Sequence, residues 1–322
     1  MNKINVRSDL IWAYLIHLGY NAWYESDAPY RGKYSHASDK IRCDKETWDE
    51  LLENMAQVGV NTVVIDLNEA VRYESHPEIA AEGAWSTDLL RDEINKMRKM
   101  GLNPIPKLNF STCHDIWLGE YSRCVSTELY YKVCSDLINE VIDIFDRPDF
   151  FHIGMDEENY SNQQYYNYIV IRNGDLWWHD FKFLVDTVEK RGVRAWIWGD
   201  RARSRSEEFI RKMPKSVLIS DWYYLFLGYD EDEPQVKARL DSFRFLSENG
   251  FEQVPGGSNF TRSNNMEALT DFCLKNLSQK SFRGMFQTVW YPTIKECKYR
   301  HLDALDCVRR SIKLAEDYYS AC

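Results

Sequence analysis

The sequence predicts a (β/α)8 TIM barrel, a single domain over residues 1–322 without an accessory domain, and three observations lead to it. First, short apolar stretches alternate with amphipathic ones along all 322 residues, with no linker or low-complexity tract between them. Second, there are eight of each kind in about 300 residues, which is typical of this barrel. Third, no glycine-rich phosphate loop follows an early strand, which makes a doubly wound open sheet the less favoured alternative.

The elements follow one another in a regular order. The predicted strands are apolar runs such as NTVVIDL and RAWIWGD, and they cover residues 10–18, 61–67, 103–110, 150–156, 194–200, 217–223, 251–254 and 283–290. The predicted helices repeat apolar residues at helical spacing and cover residues 48–58, 89–100, 128–145, 177–191, 207–213, 235–248, 266–277 and 302–318. Gly59, Gly101 and Gly192 directly follow three of these helices and indicate where they end, since glycine readily closes a helix.

Composition limits the class of partner. The formal net charge of −10 argues against nucleic acid or an anionic membrane as the main partner. Aromatic residues make up 14% of the chain, with 11 Trp and 20 Tyr. Many of these rings will be core, but rings with an apolar face and a polar edge are also what a sugar-binding cleft uses.

Cysteine usage and the first apolar run predict a cytoplasmic protein. None of the eight cysteines forms a C-x-x-C pair, so we expect reduced thiols and no metal centre. The run at residues 10–18 is short, contains His17 and precedes no cleavage site, so it is predicted as a strand and not as a signal peptide. No stretch is long and apolar enough to predict a membrane span.

Residues 150–158, FFHIGMDEE, are the strongest candidate for the chemistry. The stretch begins as an apolar strand and ends in two adjacent acids, Asp156 and Glu157. In this class of barrel the active site lies at the carboxyl ends of the strands, so the pair should enter a pocket. Two carboxyl groups held together should have unlike pKa values, as acid–base chemistry on a glycosidic bond requires. The alternative is that the pair is only the solvated end of a strand.

The ends of the other predicted strands add polar and aromatic candidates. In chain order these are Asp66, Asn109, His114 in the following loop, Trp198, Asp200, Trp222, Tyr223, Trp290 and Tyr291. Because side chains alternate along a strand, His152 should share an inward face with Asp156. Each tryptophan could instead be core, and His114 could be structural. Asp66 and Asp200 could instead form ion pairs with Lys107 and Arg201.

These residues resemble the catalytic domain of the family 20 β-N-acetylhexosaminidases. That family ends its fourth strand in His-Ile/Val-Gly-Gly-Asp-Glu, and this chain reads HIGMDE at residues 152–157. The segments GAWS at 83–86 and STCH at 111–114 resemble two further family segments, Gly-Ala/Ser-Tyr and Pro-Gly-His. Trp198, Trp222 and Trp290 resemble the tryptophans that wall the family's sugar pocket, and Asp66 falls where the family carries an acid. The resemblance covers nearly the whole chain.

The resemblance implies a retaining, substrate-assisted glycosidase that removes a β-linked N-acetylhexosamine, without cofactor or metal. Glu157 would protonate the leaving oxygen and then activate water, while Asp156 would orient the substrate's 2-acetamido group, which acts as nucleophile. His114, bridging to Asp66, would tune Glu157. The predicted substrate-binding residues are Trp198, Asp200, Trp222, Trp290, Asn109, His152, Tyr223 and Tyr291. The implied partner is a carbohydrate bearing an amino sugar.

Two observations on the residues agree with this mechanism. The charge of Asp156 and the nearby tryptophans should both raise the pKa of Glu157, which suits a general acid. An ordinary retaining glycosidase needs a second carboxylate as nucleophile, most often after strand seven. That strand end reads PGGS at residues 255–258 and contains no acid, which favours assistance by the substrate.

The chain departs from the family pattern at three places. Met155 stands where the motif has its second glycine. No arginine stands directly after Leu18, where residues 19–23 read GYNAW, although the family grips sugar hydroxyls with an arginine at the end of strand one. No tyrosine follows strand seven to bond the acetamido group, a role that Tyr223 or Tyr291 would have to take.

Two other classes of function remain as alternatives. The first is a catalytically inactive carbohydrate-binding barrel, favoured by the missing arginine and opposed by the acid pair. The second is a metal-dependent barrel hydrolase. It is disfavoured because the seven histidines form neither His-x-His on the first strand nor His-Glu-x-x-His.

Overall fold

The computed structural model describes residues 9–29, 32–225 and 233–321, and it confirms the predicted (β/α)8 barrel. Eight parallel strands form the wall: β1 Ile11–His17, β2 Thr62–Asp66, β3 Asn103–Lys107, β4 Phe150–His152, β5 Arg194–Trp198, β6 Leu218–Ser220, β7 Gly256–Ser258 and β8 Gly284–Thr288. Helices pack outside them: α1 Lys45–Val58, α2 Thr87–Lys99, α3 Glu128–Ile144, α4 Gly174–Glu189, α5 Ser206–Lys212, α6 Pro234–Glu248, α7 Asn265–Asn276 and α8 Lys298–Ala321.

Hydrogen bonding runs round the whole barrel. The sheet has the order β6-β5-β4-β3-β2-β1-β8-β7, and every neighbouring pair is parallel. The last gap, between β6 and β7, is bridged by Ile219 with Gln253 and by Trp222 with Gly256. The N–H of Gly256 donates to the carbonyl of Asp221 at 2.7 Å across this gap. The carboxyl ends of all eight strands therefore face one mouth.

The seventh strand differs from its prediction. It was predicted at residues 251–254, which read FEQV, but β7 is Gly256–Ser258. The N–H of Phe251 donates to the carbonyl of Leu246 at 3.0 Å, so Phe251 still closes the helix before it. Pro255 has no N–H to donate, and its carbonyl accepts from Phe286 N at 2.9 Å. Residues 251–254 therefore lead into the strand, and Gly256 and Gly257 form most of it.

Three clusters of apolar side chains hold the barrel together around the wall, and one of them contains Tyr223, Val236 and Leu240 from the segment after β6 and from α6. Another fills the inside of the barrel and consists of Ala13, Leu15, Val64, Ile105, Trp196, Trp198, Leu218, Val254 and Phe286. The largest one lies between the strands and the outer helices. Inside the barrel, the rings of Trp198 and Phe286 stack at 5.2 Å with an interplanar angle of 6°. The interior is therefore packed, and a ligand has access only above it.

Long loops at the carboxyl ends build the walls of the mouth. The segment between β2 and α2 contains two paired strands, Val71–Arg72 and Trp85–Ser86. A 3-10 segment, Ile116–Arg123, follows β3, and the short helices Tyr160–Gln163 and Arg201–Ser204 follow β4 and β5. Across the described ranges, no helix has the length and apolar character needed to cross a membrane.

Candidate active site

The chain turns sharply after β4, and this turn separates the two adjacent acids. The strand ends at His152, and not at residue 156 as predicted, because Gly154, Met155 and Glu157 all have positive φ angles, of 72°, 73° and 59°. Met155 thus occupies the left-handed region, which favours the glycine that the resembling motif has there. The alternation of a strand does not extend to Asp156, so the expected shared face with His152 is wrong.

Asp156 is buried and firmly held. Its Oδ1 accepts a hydrogen bond from Asn109 Nδ2 at 2.9 Å, and its Oδ2 lies 3.3 Å from His114 Nε2. Burial alone would raise the pKa of Asp156, but the charge and hydrogen bond of His114 and the hydrogen bond of Asn109 outweigh burial and lower that pKa. Asp156 is therefore an anion held in a fixed orientation at neutral pH.

Glu157 is held by its backbone, and its carboxyl group reaches the mouth. Its N–H donates to Asp200 Oδ2 at 3.1 Å, and its carbonyl accepts from Asn159 Nδ2 at 2.9 Å. The side chain is 34% exposed, and its Oε2 lies 3.4 Å from His114 Nε2. A fixed backbone with a partly exposed carboxyl group suits a residue that exchanges a proton with a ligand.

His114 links the two acids. Burial would lower its pKa, but the negative charges of Asp156 and Glu157 outweigh burial and raise the pKa to about 10. The ring is therefore an imidazolium at neutral pH, and its Nε2 lies close to the carboxyl groups of both residues. The expectation that His114 bridges to Asp66 is wrong, since the contacts of its Nε2 are with Asp156 and Glu157.

Asp66 belongs to a separate cluster on the floor of the site. Its carboxylate pairs with the buried Lys107 ammonium, and its Oδ2 lies 2.9 Å from His17 Nδ1. Burial would raise the pKa of Asp66, but Lys107 and His17 together lower it to about 2. The alternative interpretation of Asp66, an ion pair with Lys107, is thus the one that the structure has.

Asp200 is a buried carboxyl group at the end of β5. Burial and then the charge of Asp156 raise its pKa to about 7, while Arg203 and the hydrogen bond from the Glu157 N–H act in the opposite direction. The expected alternative, an ion pair with Arg201, is not what the structure has. The Arg201 guanidinium lies 3.9 Å from the centroid of the Trp177 ring.

A cavity of about 400 Å³ opens above these groups. Its walls contain Asp66, Lys107, Asn109, His114, Asp156, Glu157, Trp198, Trp222, Trp290, Tyr20, Trp23 and Tyr224, together with seven further residues. The volume is that of a small-ligand site, and its mixture of aromatic rings with a few convergent polar groups is typical of one. Eight predicted site residues are therefore brought together: Asp66, Asn109, His114, Asp156, Glu157, Trp198, Trp222 and Trp290.

The three tryptophans differ in exposure. Trp198 is only 2% exposed and forms the floor of the cavity, on top of the packed barrel interior. Trp222 and Trp290 are half-buried and form side walls. Trp290 lies 6.1 Å from Trp23, centroid to centroid, so the aromatic wall continues into the loop after β1.

Four predicted substrate-binding residues do not line this cavity, and Asp200 is one of them. His152 is fully buried below the cavity, and its Nδ1 accepts from Gly154 N at 3.1 Å. Tyr223 packs in the apolar cluster outside the barrel, next to Val236 and Leu240. Tyr291 lies against the Phe260 ring, at 6.2 Å.

Tyr224 is a cavity residue that the sequence reasoning missed. It follows the outward-facing Tyr223, lines the cavity, and stacks on Trp222 with centroids 5.0 Å apart. Burial raises the pKa of Tyr224 above its usual range. The alternation of side chains could have identified it, since Trp222 and Tyr224 are two residues apart and so share a face.

One group of side chains in the described part of the chain has spacing suited to a metal ion. One ligand atom from each of His114, Asp156 and Glu157 lies within 4.8 Å of the others. The two acids also raise the pKa of His114, so a metal ion bound here would have to displace the proton on the His114 ring.

Solved structures with this fold include β-N-acetylhexosaminidases of glycoside hydrolase family 20. A chitobiase from Flavobacterium johnsoniae matches 87% of this chain and 48% of its own, with a TM-score of 0.60 and 14% identity. A β-N-acetylhexosaminidase from Bacteroides fragilis matches 95% and 65%, with a TM-score of 0.62 and 13% identity. A mutant Streptomyces plicatus β-hexosaminidase, solved with its product GlcNAc, matches 95% and 63%, with a TM-score of 0.62 and 12% identity.

At these identities the likeness shows the fold. The resemblance expected from the sequence is therefore confirmed for the architecture. This chain spans about half the length of the Flavobacterium protein and just under two thirds of the other two. No family model and no curated protein matches the sequence.

Proposed function

We propose that this protein is a glycosidase that removes a terminal β-linked N-acetylhexosamine with the help of the substrate's own acetamido group. The observation that carries the proposal is the pairing of Asp156 and Glu157 through His114 at the edge of an aromatic cavity. One acid is a buried, oriented anion, and the other is partly exposed beside it. Two carboxyl groups with different environments suit two different roles.

Glu157 acts as general acid and then as general base. It gives its proton to the glycosidic oxygen as the bond from that oxygen to the anomeric carbon breaks. The carbonyl oxygen of the acetamido group attacks the same carbon and forms a cyclic intermediate. Water, deprotonated by Glu157, then opens that ring with retention. Asp156 accepts the acetamido N–H and stabilises the positive charge that develops on this group.

The other acids of the site support assistance by the substrate. An enzyme nucleophile would have to be an anionic carboxylate within reach of the anomeric carbon. Asp66 is an anion but is held by Lys107 and His17. Asp200 has its pKa raised to about 7, because of burial and then the charge of Asp156, so it is a weaker nucleophile at neutral pH. The acetamido oxygen then remains as nucleophile.

Two residues take the places of those that the resemblance expects. Lys107 lines the cavity from β3 and supplies a cation there, whereas the family has an arginine after strand one. Tyr224 presents its ring to the cavity and replaces Tyr223 and Tyr291 as the tyrosine that meets the acetamido group. The bound product GlcNAc of the Streptomyces structure agrees with a sugar of this kind.

A panel of p-nitrophenyl glycosides, assayed with and without EDTA, tests the proposal. We expect turnover of the β-N-acetylglucosaminide or β-N-acetylgalactosaminide and no loss of activity with EDTA. Strict dependence on a metal would support the metal-dependent hydrolase instead.

A non-catalytic carbohydrate-binding barrel is the second candidate. It is favoured by the strand-one end, where Tyr20 and Trp23 line the cavity in place of a cation. Binding of N-acetylhexosamines without turnover of any glycoside would support it.

A further inference from the structure

A second cavity, of about 630 Å³, lies beside the first and is lined by arginines. Five arginines line it, together with the three acids Glu157, Glu158 and Asp200: Arg172, Arg201, Arg203, Arg205 and Arg239. The two cavities share Glu157 and Trp222 as lining residues. Such a concentration of positive charge is unexpected in a chain with a net charge of −10. The composition of the chain alone therefore does not explain why these arginines cluster here.

Acids neutralise two of these arginines. Arg172 pairs with the buried Glu158, and its Nη1 lies 3.3 Å from Asp180 Oδ2. Arg203 pairs with the buried Asp221. These two side chains have structural partners, and Arg205 Nη2 donates to Asn173 Oδ1 at 3.2 Å. Arg201 and Arg239 are left to account for.

Arg201 and Arg239 have donors without partners among residues 9–29, 32–225 and 233–321. Nε and Nη2 of Arg201 are buried and make no hydrogen bond, and the nearest carboxylate oxygen, of Glu208, is 4.0 Å away. Nη1 of Arg239 is likewise buried without an acceptor. A buried donor without an acceptor costs free energy, and a bound anion would remove that cost.

Aromatic rings hold these guanidinium groups in place. Arg201 lies over Trp177, and Arg239 lies 4.9 Å from the centroid of the Trp222 ring. Arg203 lies 4.6 Å from the same centroid. Burial lowers the pKa of Arg239, and the nearby positive charge of Arg203 lowers it further. The arginines are thus oriented before any ligand arrives, at an electrostatic cost that an anion would relieve.

Glu157 lines both cavities, so a ligand bound in either cavity can reach its carboxyl group. The first cavity contains Asp156, Asn109 and the floor ring of Trp198, so it accepts the sugar that carries the acetamido group. The oxygen that Glu157 protonates belongs to the leaving group. The leaving group therefore extends past Trp222 into the arginine cavity.

We propose that the arginine cavity is a leaving-group subsite for an anionic sugar, one that carries a carboxylate or a sulfate. Arginine's planar fork of donors matches either group. This inference rests on the proposed glycosidase function and specifies its substrate class: a terminal N-acetylhexosamine linked to a uronate or to a sulfated sugar.

The test compares substrates that differ only in the leaving sugar. GlcNAc β-1,4-linked to methyl glucoside, to methyl glucuronide and to 6-sulfated methyl glucoside is assayed for kcat/KM. We expect the wild type to prefer at least one anionic substrate by about 10- to 100-fold, the effect of one or two charge-assisted hydrogen bonds. A preference for the glucuronide indicates that the subsite binds a carboxylate, and a preference for the 6-sulfated glucoside indicates that it binds a sulfate. Equal values for all three substrates would overturn the inference.

Variants assign the preference to the arginines. Arg201→Gln and Arg239→Gln should each reduce the ratio of anionic to neutral kcat/KM, and the double variant should bring it near one. Arg211→Gln is the matched control, because Arg211 is exposed on α5 and lines neither cavity. A preference that survives in a folded double variant would also overturn the inference. If the Gln variants do not fold, Arg201→Lys and Arg239→Lys take their place, because they keep the charge but lose the planar fork of donors, and an unchanged preference in both folded Lys variants would overturn the inference.

Two further measurements separate this inference from the proposed function. Turnover of neutral p-nitrophenyl N-acetylglucosaminide reports on the glycosidase alone. If no glycoside is cleaved, calorimetric binding of the same three disaccharides still tests the subsite. Tighter binding of an anionic disaccharide would support the subsite without the glycosidase function, and equal affinities would reject it.

Discussion

The side chain of Asn109 occupies the space that a Cβ atom on Gly154 would need. Its Oδ1 lies 1.8 Å from the position of that atom, and the Asn109 Nδ2 donates to Asp156. Gly154 also has a φ of 72°, which side chains rarely adopt. The glycine of the HIGMDE stretch is therefore needed so that Asn109 can orient Asp156.

Gly154→Ala should accordingly damage both stability and activity. We expect a loss of about 2–5 kcal/mol in the free energy of unfolding, from overpacking of about 1–3 kcal/mol and a left-handed backbone of about 1–2 kcal/mol. Denaturant unfolding measures the loss. Gly250→Ala is the matched control, since Gly250 has a φ of 71° and no atom within 4 Å of its Cβ position. Equal losses in the two variants would show that the Asn109 contact has no role.

Substitution of the two acids should have different consequences. Glu157→Gln removes the proton donor, so kcat should fall by roughly 10²–10⁴, and less for substrates with good leaving groups. Asp156→Asn should slow the attack of the acetamido group, so a better leaving group should not restore the rate. Kinetics on a series of substituted phenyl glycosides measures both effects. A covalent sugar on the enzyme, trapped by azide, or full activity in both variants would contradict the assignment.

The exposure of the tryptophans predicts which of them binds substrate. Trp290→Ala and Trp222→Ala should raise KM more than they lower the melting temperature, because both rings are half-buried cavity walls. Trp198→Ala should instead lose about 3–5 kcal/mol of stability, because this ring is 2% exposed and stacked on Phe286. Thermal melts together with KM values separate the two classes. Similar melting temperatures in all three variants would refute this division.

Two neighbouring tyrosines provide an internally controlled test of the site. Tyr224→Phe should reduce kcat/KM by about tenfold, the cost of one hydrogen bond to a developing charge. Tyr223→Phe should leave kcat/KM nearly unchanged, since this ring packs outside the barrel wall. A larger loss of kcat/KM in Tyr223→Phe than in Tyr224→Phe would show that Tyr224 is not the tyrosine that contacts the substrate.

Asp200 should make the protein less stable as the pH rises. Burial and then the charge of Asp156 raise its pKa to about 7, so the folded state binds a proton that the unfolded state releases near pH 4. That stabilisation is complete below pH 4 and is lost as pH rises through about 7. The melting temperature should therefore fall between pH 5 and pH 8.

Asp200→Asn should reduce this dependence without abolishing it. Glu69 and Asp115 keep contributing with the same sign, because burial raises their pKa values to about 7 and about 8. His114, with a pKa raised to about 10, adds a further loss above pH 7. Melts of wild type and variant at four pH values measure the difference. If the melting temperature falls with pH equally steeply in wild type and variant, Asp200 is not the group that binds the additional proton in the folded state.

The sequence was sufficient for the barrel and for the neighbourhood of its site. Eight alternating elements determine a (β/α)8 wall because each strand and helix must bury an apolar face, and the wall brings all strand ends to one mouth. Asp156, Glu157, Asn109 and Trp290 therefore lie together, as predicted. Glycines that form β7 after Pro255 carry no apolar pattern, and this is why that strand was misplaced.

Partners of the charged groups were decided only by the tertiary structure. Sequence position brings Asp66 and His114 to the same mouth, but it does not specify which charged neighbour each of them contacts. In the folded barrel, Asp66 pairs with Lys107 and His17. His114 contacts Asp156 and Glu157 instead. The arginine cavity is a further case, because it gathers side chains from loops and helices that no single motif connects. Such electrostatic contacts depend on distances of a few ångströms, which arise when the whole barrel packs.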